Sequence, residues 1–300
     1  MDIFSIVLII VGLALFETVT SIDNAVINAE VLSTMSMRAR RWFLSWGMIF
    51  AVFAIRGGLP WLIVWSSHPS LGPIDAFTAT FSNDPEIARA IEESSPVSLV
   101  SGGVFLIFLF FHWLFIETKN YGLKGERFFY RHGVWFFAVV SIILSIITWY
   151  SIKQNPYMAF GAVLGSTAFF IVHGFRQNAE LREKDLIGNT SLTDWSKIMY
   201  LEVIDATFSI DGVVGAFAFT LSVPLILIGN GVGALMVRNL TVRNIDRIKK
   251  YLYLKNGAMY SIFFLGMIMI LDSFQVNIPS WISPVITIFI VGYFFYKSRY

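Results

Sequence analysis

Acidic residues inside long apolar runs are the most informative feature of this sequence. In two places an acid precedes the tripeptide Ser-Ile-Asp by four positions, and a small or helix-breaking residue follows the tripeptide. The first copy contains Glu17, Asp23 and Asn24, and the second contains Glu202, Asp205, Asp211 and Gly212. An ionisable side chain at the centre of a bilayer costs roughly 3 to more than 10 kcal/mol, so such residues mark candidate functional sites.

The chemistry of these side chains is that of a hard cation site. Carboxylate and amide oxygens suit manganese, magnesium or calcium, whereas zinc and copper prefer histidine and sulfur. The chain has no cysteine, which excludes thiolate sites. The sequence therefore predicts a metal site formed by Glu17, Asp23, Asn24, Glu202, Asp205 and Asp211. Asp23 and Asp211 form its expected paired core, and His112 is more simply a packed core residue than a ligand.

Two arginines also fall inside apolar runs, Arg56 and Arg238. We expect them to act as counter-charges or gate residues. The five acids exceed the two arginines, so pairing alone would leave three negative charges inside the membrane. One divalent cation would neutralise two of these charges and a proton the third, which motivates a proton-coupled hypothesis. The alternative is that the acids only pair with the arginines and serve as a scaffold.

Composition places these residues in a polytopic, all-α membrane protein. The chain is 56% hydrophobic and 14% charged with a mean hydropathy of +0.68, and it repeats apolar runs near the ~20 residues that span a bilayer. We predict about nine transmembrane helices within a single transmembrane domain, 1–300. The predicted spans are 3–33, 42–66, 97–116, 134–150, 159–173, 197–221, 223–243, 257–273 and 281–296.

The basic residues orient these spans. Of the 22 Lys and Arg residues, only Arg89 and Lys153 fall on one side of the predicted membrane, and Arg56 and Arg238 lie within it. The others all fall on the opposite side, in 34–41, 117–133, 174–197, 243–255 and the tail. Positive-inside counting therefore predicts an external N-terminus and a cytoplasmic C-terminus. The loop 67–96 is acidic and external, and we interpret it as a solvated connector, with cation gathering as the alternative.

The order of the motifs predicts an inverted repeat. Five crossings separate the first and sixth spans, so the two acid motifs run in opposite directions. Each motif span is followed by a span with an arginine, Arg56 or Arg238, and then by a span that opens on glycine. Repeat one is expected at about 1–120, connecting spans at about 121–190 and repeat two at about 191–300. Transporters place their sites near the midplane of such repeats.

Spacing further predicts that both motif helices are discontinuous. Residues six positions apart point about 120° apart on a straight helix, so Glu17 and Asp23 could not face one point. The same holds for Asp205 and Asp211. We therefore expect interruptions near 21–24 and 209–212, where freed backbone would line a cavity.

The motifs resemble those of the TerC family of integral membrane proteins, closest to a branch labelled as a domain of unknown function. The resemblance rests on the two acid motifs, on Gly-Ala-Leu-Met-Val-Arg238-Asn-Leu-Thr and on Tyr-Leu-Lys-Asn-Gly-Ala-Met-Tyr260. It covers most of spans one to three and six to eight. The chain departs from the family pattern at Gly212 and in an expanded middle. The resemblance implies a link to tellurite resistance and to manganese efflux.

Together these features predict a secondary transporter that exports a divalent cation, most simply Mn²⁺, from the bacterial cytoplasm across the inner membrane. Alternatives are a non-transporting accessory or assembly factor and a proton-coupled carrier of another cation or small solute. A membrane hydrolase is disfavoured because no Gly-x-Ser-x-Gly, His-Glu-x-x-His or Walker motif occurs, so no enzyme activity is expected. The expected partners are the metal ion and the lipid bilayer, with no cofactor, no nucleic acid and an open possibility of homo-oligomers.

Overall fold

The fold is all-helical wherever the structure describes it. A computed structural model describes residues 2–67, 72–78, 85–188, 193–243 and 250–299. Parts of the acidic loop 67–96, namely 68–71 and 79–84, lie outside this description, as do 189–192 and the basic segment 244–249. The described residues form helices, turns and bends, without strands. This confirms the all-α class.

The first half of the chain is a succession of helices with two wide-turn segments. Its elements are α1 (Ile3–Thr20), α2 (Ile22–Ser33), α3 (Met37–Trp42), π1 (Phe43–Gly47), α4 (Met48–Phe50), π2 (Ala51–Gly57), α5 (Gly58–Ser67), α6 (Pro73–Thr78) and α7 (Pro85–Phe115). The second half contains α8 (Glu126–Arg131), α9 (Trp135–Gln154), α10 (Pro156–Gly188), α11 (Asp194–Ala216), α12 (Val223–Arg243), α13 (Leu254–Ser273) and α14 (Ile282–Lys297).

Six helical segments of the described chain are long and apolar enough to cross a membrane. They are Ile3–Thr20, Met37–Ser66, Ser95–Phe115, Trp135–Gln154, Pro156–Asn178 and Leu254–Ser273. Two shorter apolar helices, Val223–Asn239 and Ile282–Lys297, match the predicted seventh and ninth spans. The predicted count of nine is therefore not reproduced. The predicted sixth span corresponds to α11, whose many charged residues keep it outside the apolar set.

The two predicted helix interruptions have different outcomes. Ser21 separates α1 from α2, with φ −89° and ψ 2°, so the chain is interrupted inside the first predicted interval. The second prediction is wrong, because α11 continues through 209–212 and ends at Ala216. Ser209 Oγ donates to the carbonyl of Asp205, a bond of 2.6 Å within the helix that keeps this polar side chain satisfied without unwinding. The backbone turns only after Ala216, in the segment 217–222.

Contacts between elements give their relative directions. Gly215 of α11 approaches Phe16 of α1, and Gly212 approaches Glu17 and Thr20, so α1 and α11 are antiparallel where they touch. In the next pair, Gly57 of π2 lies against Leu227 of α12 and Gly231 lies against Val52, which is again antiparallel.

The third pair, α7 and α13, forms the centre of the apolar core. Gly103 of α7 approaches the backbone of Gly266 and Ile270, and the rings of Phe110 and Phe263 lie 4.6 Å apart. These contacts also run in opposite directions along the two helices. Close backbone approach at glycine, together with aromatic packing, brings the helices together.

The α7–α10 interface provides a matched test of this packing. A methyl group on Gly165 would collide with the carbonyl oxygen of Ser101 on α7, whereas Gly174, on the same helix, has open space around it. We expect Gly165→Ala to lower the free energy of unfolding by about 1–3 kcal/mol. Gly174→Ala should leave it unchanged or raise it by up to about 1 kcal/mol through helix propensity. Thermal unfolding of the purified protein measures both, and equal melting temperatures for the two variants would contradict this packing.

Candidate functional site

The interruption at Ser21 positions the first acid of the motif. Ser21 donates its backbone N–H to the carbonyl of Glu17 at 3.1 Å and its hydroxyl to Glu17 Oε1 at 2.9 Å. The Glu17 side chain is fully buried, with a relative accessibility of 0%. The end of α1 therefore fixes a carboxylate in the protein interior.

Arg56 joins this carboxylate to an acid of the second motif. Its Nε lies 2.6 Å from Glu17 Oε1, and its Nη1 lies 3.3 Å from Asp205 Oδ2. Arg56 is itself 3% exposed and belongs to π2, a helix type that is rare and frequent at functional sites. Asn24 Nδ2 donates to Asp205 Oδ1. The structure thus brings together four of the residues predicted from the sequence.

The contacts between the two motifs are reciprocal. The motif alignment equates Glu17 with Asp205 and Asn24 with Gly212. Asn24 contacts Asp205, and a Cβ at Gly212 would lie only 2.6 Å from Glu17 Oε2. Gly212 is therefore explained by close approach to the carboxylate, not by the helix break that its sequence suggested. Reciprocal contacts of this kind are expected where two related segments meet about a two-fold axis.

A small cavity of about 60 Å³ opens beside the Arg56 bridge. Its polar lining consists of Asn28, Arg56, Glu202, Asp205 and Arg238. That volume holds a few water molecules or a partly hydrated cation. With all groups ionised, three carboxylates (Glu17 included) face two arginines here, which leaves an excess of one negative charge.

Several oxygen atoms of the cavity lining and of the residues at the Arg56 bridge are buried without a hydrogen-bond partner in the described structure. They are Glu17 Oε2, Asn24 Oδ1, Asn28 Oδ1 and Glu202 Oε1. An unpaired buried acceptor is costly, and each such atom calls for an explanation. All four are hard oxygen donors of the type that bind Mn²⁺, Mg²⁺ or Ca²⁺. In the same described part of the chain, no three His, Asp or Glu residues stand close enough to form a complete metal site.

The remaining predicted acids lie elsewhere or outside the description. Asp211 is 8% exposed and pairs with Arg176 of α10 at 3.0 Å, so it is separated from the Glu17 group. The backbone of Asp23 belongs to α2, but its side chain lies outside the described residues. Asp211 thus has a partner that the sequence did not indicate, and its expected pairing with Asp23 stays a prediction because the Asp23 side chain lies outside the described residues.

Arg176 was missed because the fifth span was predicted to end at 173. The helix α10 instead continues to Gly188, which places Arg176 one turn beyond His173 on the same helical face. That spacing of three residues between two polar side chains was the available signal. Near this position, Lys255 of α13 pairs with Glu117 at 3.0 Å. Burial raises the pKa of Glu117, but the neighbouring His112 and the charges of Lys255 and Arg176 outweigh burial and hold the pKa below its usual range.

These observations define an all-helical integral membrane protein with ionised groups enclosed between its helices. The sequence model of the DUF475 family, described as "Protein of unknown function (DUF475)", matches residues 22–300, so the chain belongs to this family. The family match agrees with the expected branch of unknown function, while the broader TerC relationship stays a prediction.

One curated relative supports the membrane assignment. The "Uncharacterized membrane protein YceF" of Bacillus subtilis (strain 168) is 24% identical over 172 residues, which cover 57% of this chain and 64% of the relative. The chain thus matches less than two thirds of that relative's length. No solved structure matches the chain.

The Arg56 bridge gives a direct test of the site's electrostatics. We expect Arg56→Met to lower the free energy of unfolding by about 3–5 kcal/mol, because it leaves Glu17 and Asp205 uncompensated in the interior. Arg56→Lys should cost less, since it retains the charge. Arg41→Met is the control, because Arg41 is exposed. Thermal unfolding measures all three.

A second substitution tests whether uncompensated acids cause the loss of stability in Arg56→Met. Removing one acid together with the arginine, as in Arg56→Met with Asp205→Asn, should recover part of the lost stability. Equal tolerance of Met and Lys at position 56 would show that Arg56 does not act as a counter-charge.

Proposed function

We propose that this protein is a secondary transporter of a hard divalent cation, with Mn²⁺ as the first candidate. The observation that carries the proposal is the group of buried oxygen atoms without partners around the Arg56 bridge. They are hard donors, two of their residues, Asn28 and Glu202, line the cavity, and the surrounding group carries an excess negative charge that a cation would compensate. The ligands assigned to this site are Glu17, Asn24, Glu202 and Asp205, with Asn28 added from its place in the cavity.

In this proposal Arg56 binds the carboxylates that would otherwise bind the cation. Its guanidinium satisfies one oxygen of Glu17 and one of Asp205, and it leaves Glu17 Oε2 unpaired. An arriving cation would take over these carboxylates and displace the guanidinium, since the two positive charges compete for the same oxygens. Arg56 would then act as a gate that returns when the cation leaves.

Alternating access about an inverted repeat would supply the movement. Three observations support this part of the proposal: α1 with α11, π2 with α12, and α7 with α13 are each antiparallel where they touch. These are the element pairs that the repeat equates. The sites of inverted-repeat transporters lie at the repeat interface, where Glu17 and Asp205 also meet.

Transport by purified protein in liposomes tests the function. Uptake of Mn²⁺, followed with an enclosed fluorescent indicator, should fall at least about tenfold in Glu17→Gln and Asp205→Asn, because each keeps the side-chain shape but removes a charge the ion needs. Asp75→Asn is the matched control, since Asp75 is exposed on α6. Parallel assays with Mg²⁺, Ca²⁺ and Zn²⁺ identify the preferred ion.

Unchanged uptake in both acid variants at equal protein content would contradict the site. Uptake no faster than in empty liposomes would favour an accessory or assembly factor, in which the acids only hold the helices together. Thermal stabilisation by the metal separates these cases. At a free metal concentration of about 100 times Kd, a binding site raises the free energy of unfolding by about 2.7 kcal/mol, whereas a scaffold that binds no metal gains nothing.

Export also requires the proposed orientation, with the N-terminus outside and the C-terminus in the cytoplasm. The absence of native cysteine allows single cysteines to be placed without background. A cysteine at Asp75 should react with an impermeant maleimide added to intact cells, whereas one at Arg41 should react only after the membrane is opened. The reverse pattern would overturn the proposed orientation.

A further inference from the structure

Two histidines touch at a position apart from the Arg56 bridge. His112 of α7 and His173 of α10 have ring centroids 3.9 Å apart, with ring planes at 53°. Phe136 of α9 packs edge-on against His112, and Phe169 stacks on His173 at 5.7 Å. Aromatic rings therefore hold the two imidazoles against each other in a partly apolar surrounding.

His112 has an unused nitrogen in this surrounding. The residue is 7% exposed, and its Nδ1 is buried without a hydrogen-bond partner in the described structure. The nearest acceptor is Glu117 Oε1 at 3.6 Å, slightly beyond hydrogen-bond distance. The other oxygen of Glu117 is held by Lys255 at 3.0 Å. Glu117 Oε1 is therefore the nearby acceptor for a proton on His112 Nδ1, which has no hydrogen-bond partner in the described structure.

The charged groups around the histidine pair are balanced. Glu117 follows α7, Lys255 is on α13, Arg176 is on α10, and Asp211 is on α11. Two negative and two positive side chains leave no net charge before the histidines are counted. Two imidazolium ions this close would repel each other strongly, so the pair accommodates one proton and resists a second.

A proton suits this cluster better than a metal ion. The two cationic side chains, Arg176 and Lys255, would repel a divalent cation approaching the imidazoles. A proton needs only one free ring nitrogen and an acceptor within reach, and both are present.

We propose that His112 and His173 form a binding site for a single proton. A proton from solvent adds to a free ring nitrogen of one imidazole, and Nδ1–H of a charged His112 then donates to Glu117 Oε1. This bond draws Glu117 away from Lys255, so proton binding on α7 and α10 loosens the tie to α13. The same proton leaves to solvent when the bond opens, and no other covalent bond changes.

The proton site is connected to the proposed cation site through α11. Arg176, one turn from His173, holds Asp211, and α11 continues without interruption from Asp211 back to Asp205. A shift of α11 would therefore move Asp205 at the proposed cation site and Asp211 beside the histidine pair. The use of this proton as the counter-ion of metal export rests on the proposed function, whereas proton binding by the histidines does not.

Histidine titration by NMR tests the site directly. The purified full-length protein, labelled in its imidazole rings, is followed from about pH 5 to 8. We expect one proton to be taken up by the pair in this range, and His173→Asn to move the titration of His112 by at least about one pH unit. Glu117→Gln should move it to lower pH, because the carboxylate no longer stabilises the charged ring. His132→Gln is the control, since His132 is exposed and its Nδ1 lies within hydrogen-bond distance of the carbonyl of Phe128, one turn earlier in the chain.

The outcomes are distinct for the two proposals. Independent titration of His112 and His173, or no protonation of either in this range, overturns the proton site, and the wild-type titration decides this even if a variant fails to fold. Coupled titration without any Mn²⁺ uptake supports the proton site and overturns the transport proposal. Where uptake occurs, its rate should show the same pH profile in the wild type and in His132→Gln, and in His173→Asn that profile should shift along the pH axis together with the titration of His112. An unchanged pH profile in His173→Asn overturns the counter-ion role.

Discussion

The burial of Arg56 between Glu17 and Asp205 is the constraint on which the rest of the structure depends. Removing a single ion from water costs several kcal/mol even after the protein relaxes, and this cost is offset only by direct, well-formed contacts. The contacts at 2.6 and 3.3 Å come from three different elements, α1, π2 and α11. These elements must therefore meet at one point in any stable arrangement of the chain.

Glycine makes that meeting possible. A side chain at Gly212 or Gly233 would collide with Glu17, and one at Gly47 would collide with the carboxylate of Glu202. Glycines of π1, α11 and α12 thus let the backbone of these helices approach the acids closely. The carboxylates are therefore enclosed by protein rather than by lipid. Such an enclosure strengthens the electrostatic interactions inside it, because the dielectric constant of the protein interior is lower than that of bulk water. Among the enclosed atoms, Glu17 Oε2 and Glu202 Oε1 have no hydrogen-bond partner in the described structure.

The continuity of α11 divides the polar residues into two centres. Asp205 and Asp211 are six residues apart, so on a straight helix they point about 120° apart and are separated by roughly 9 Å along the axis. A break would have turned both acids toward one cavity. Instead each acid forms an ion pair with a different arginine, Asp205 with Arg56 and Asp211 with Arg176. One rigid helix consequently links the proposed cation site to the histidine pair.

The sequence by itself determined the membrane class, the helical content, the candidate acids and the interruption at Ser21, because hydropathy and local spacing are properties of the chain in one dimension. It also singled out Arg56, since a charge inside an apolar run needs a partner. Only the tertiary structure decided which base meets which acid. The pairing of Asp211 with Arg176, the role of Gly212 and the contact of His112 with His173 depend on how α7, α10 and α11 are rotated and shifted against one another. Those rotations are set by packing between residues far apart in the chain, which local spacing does not encode.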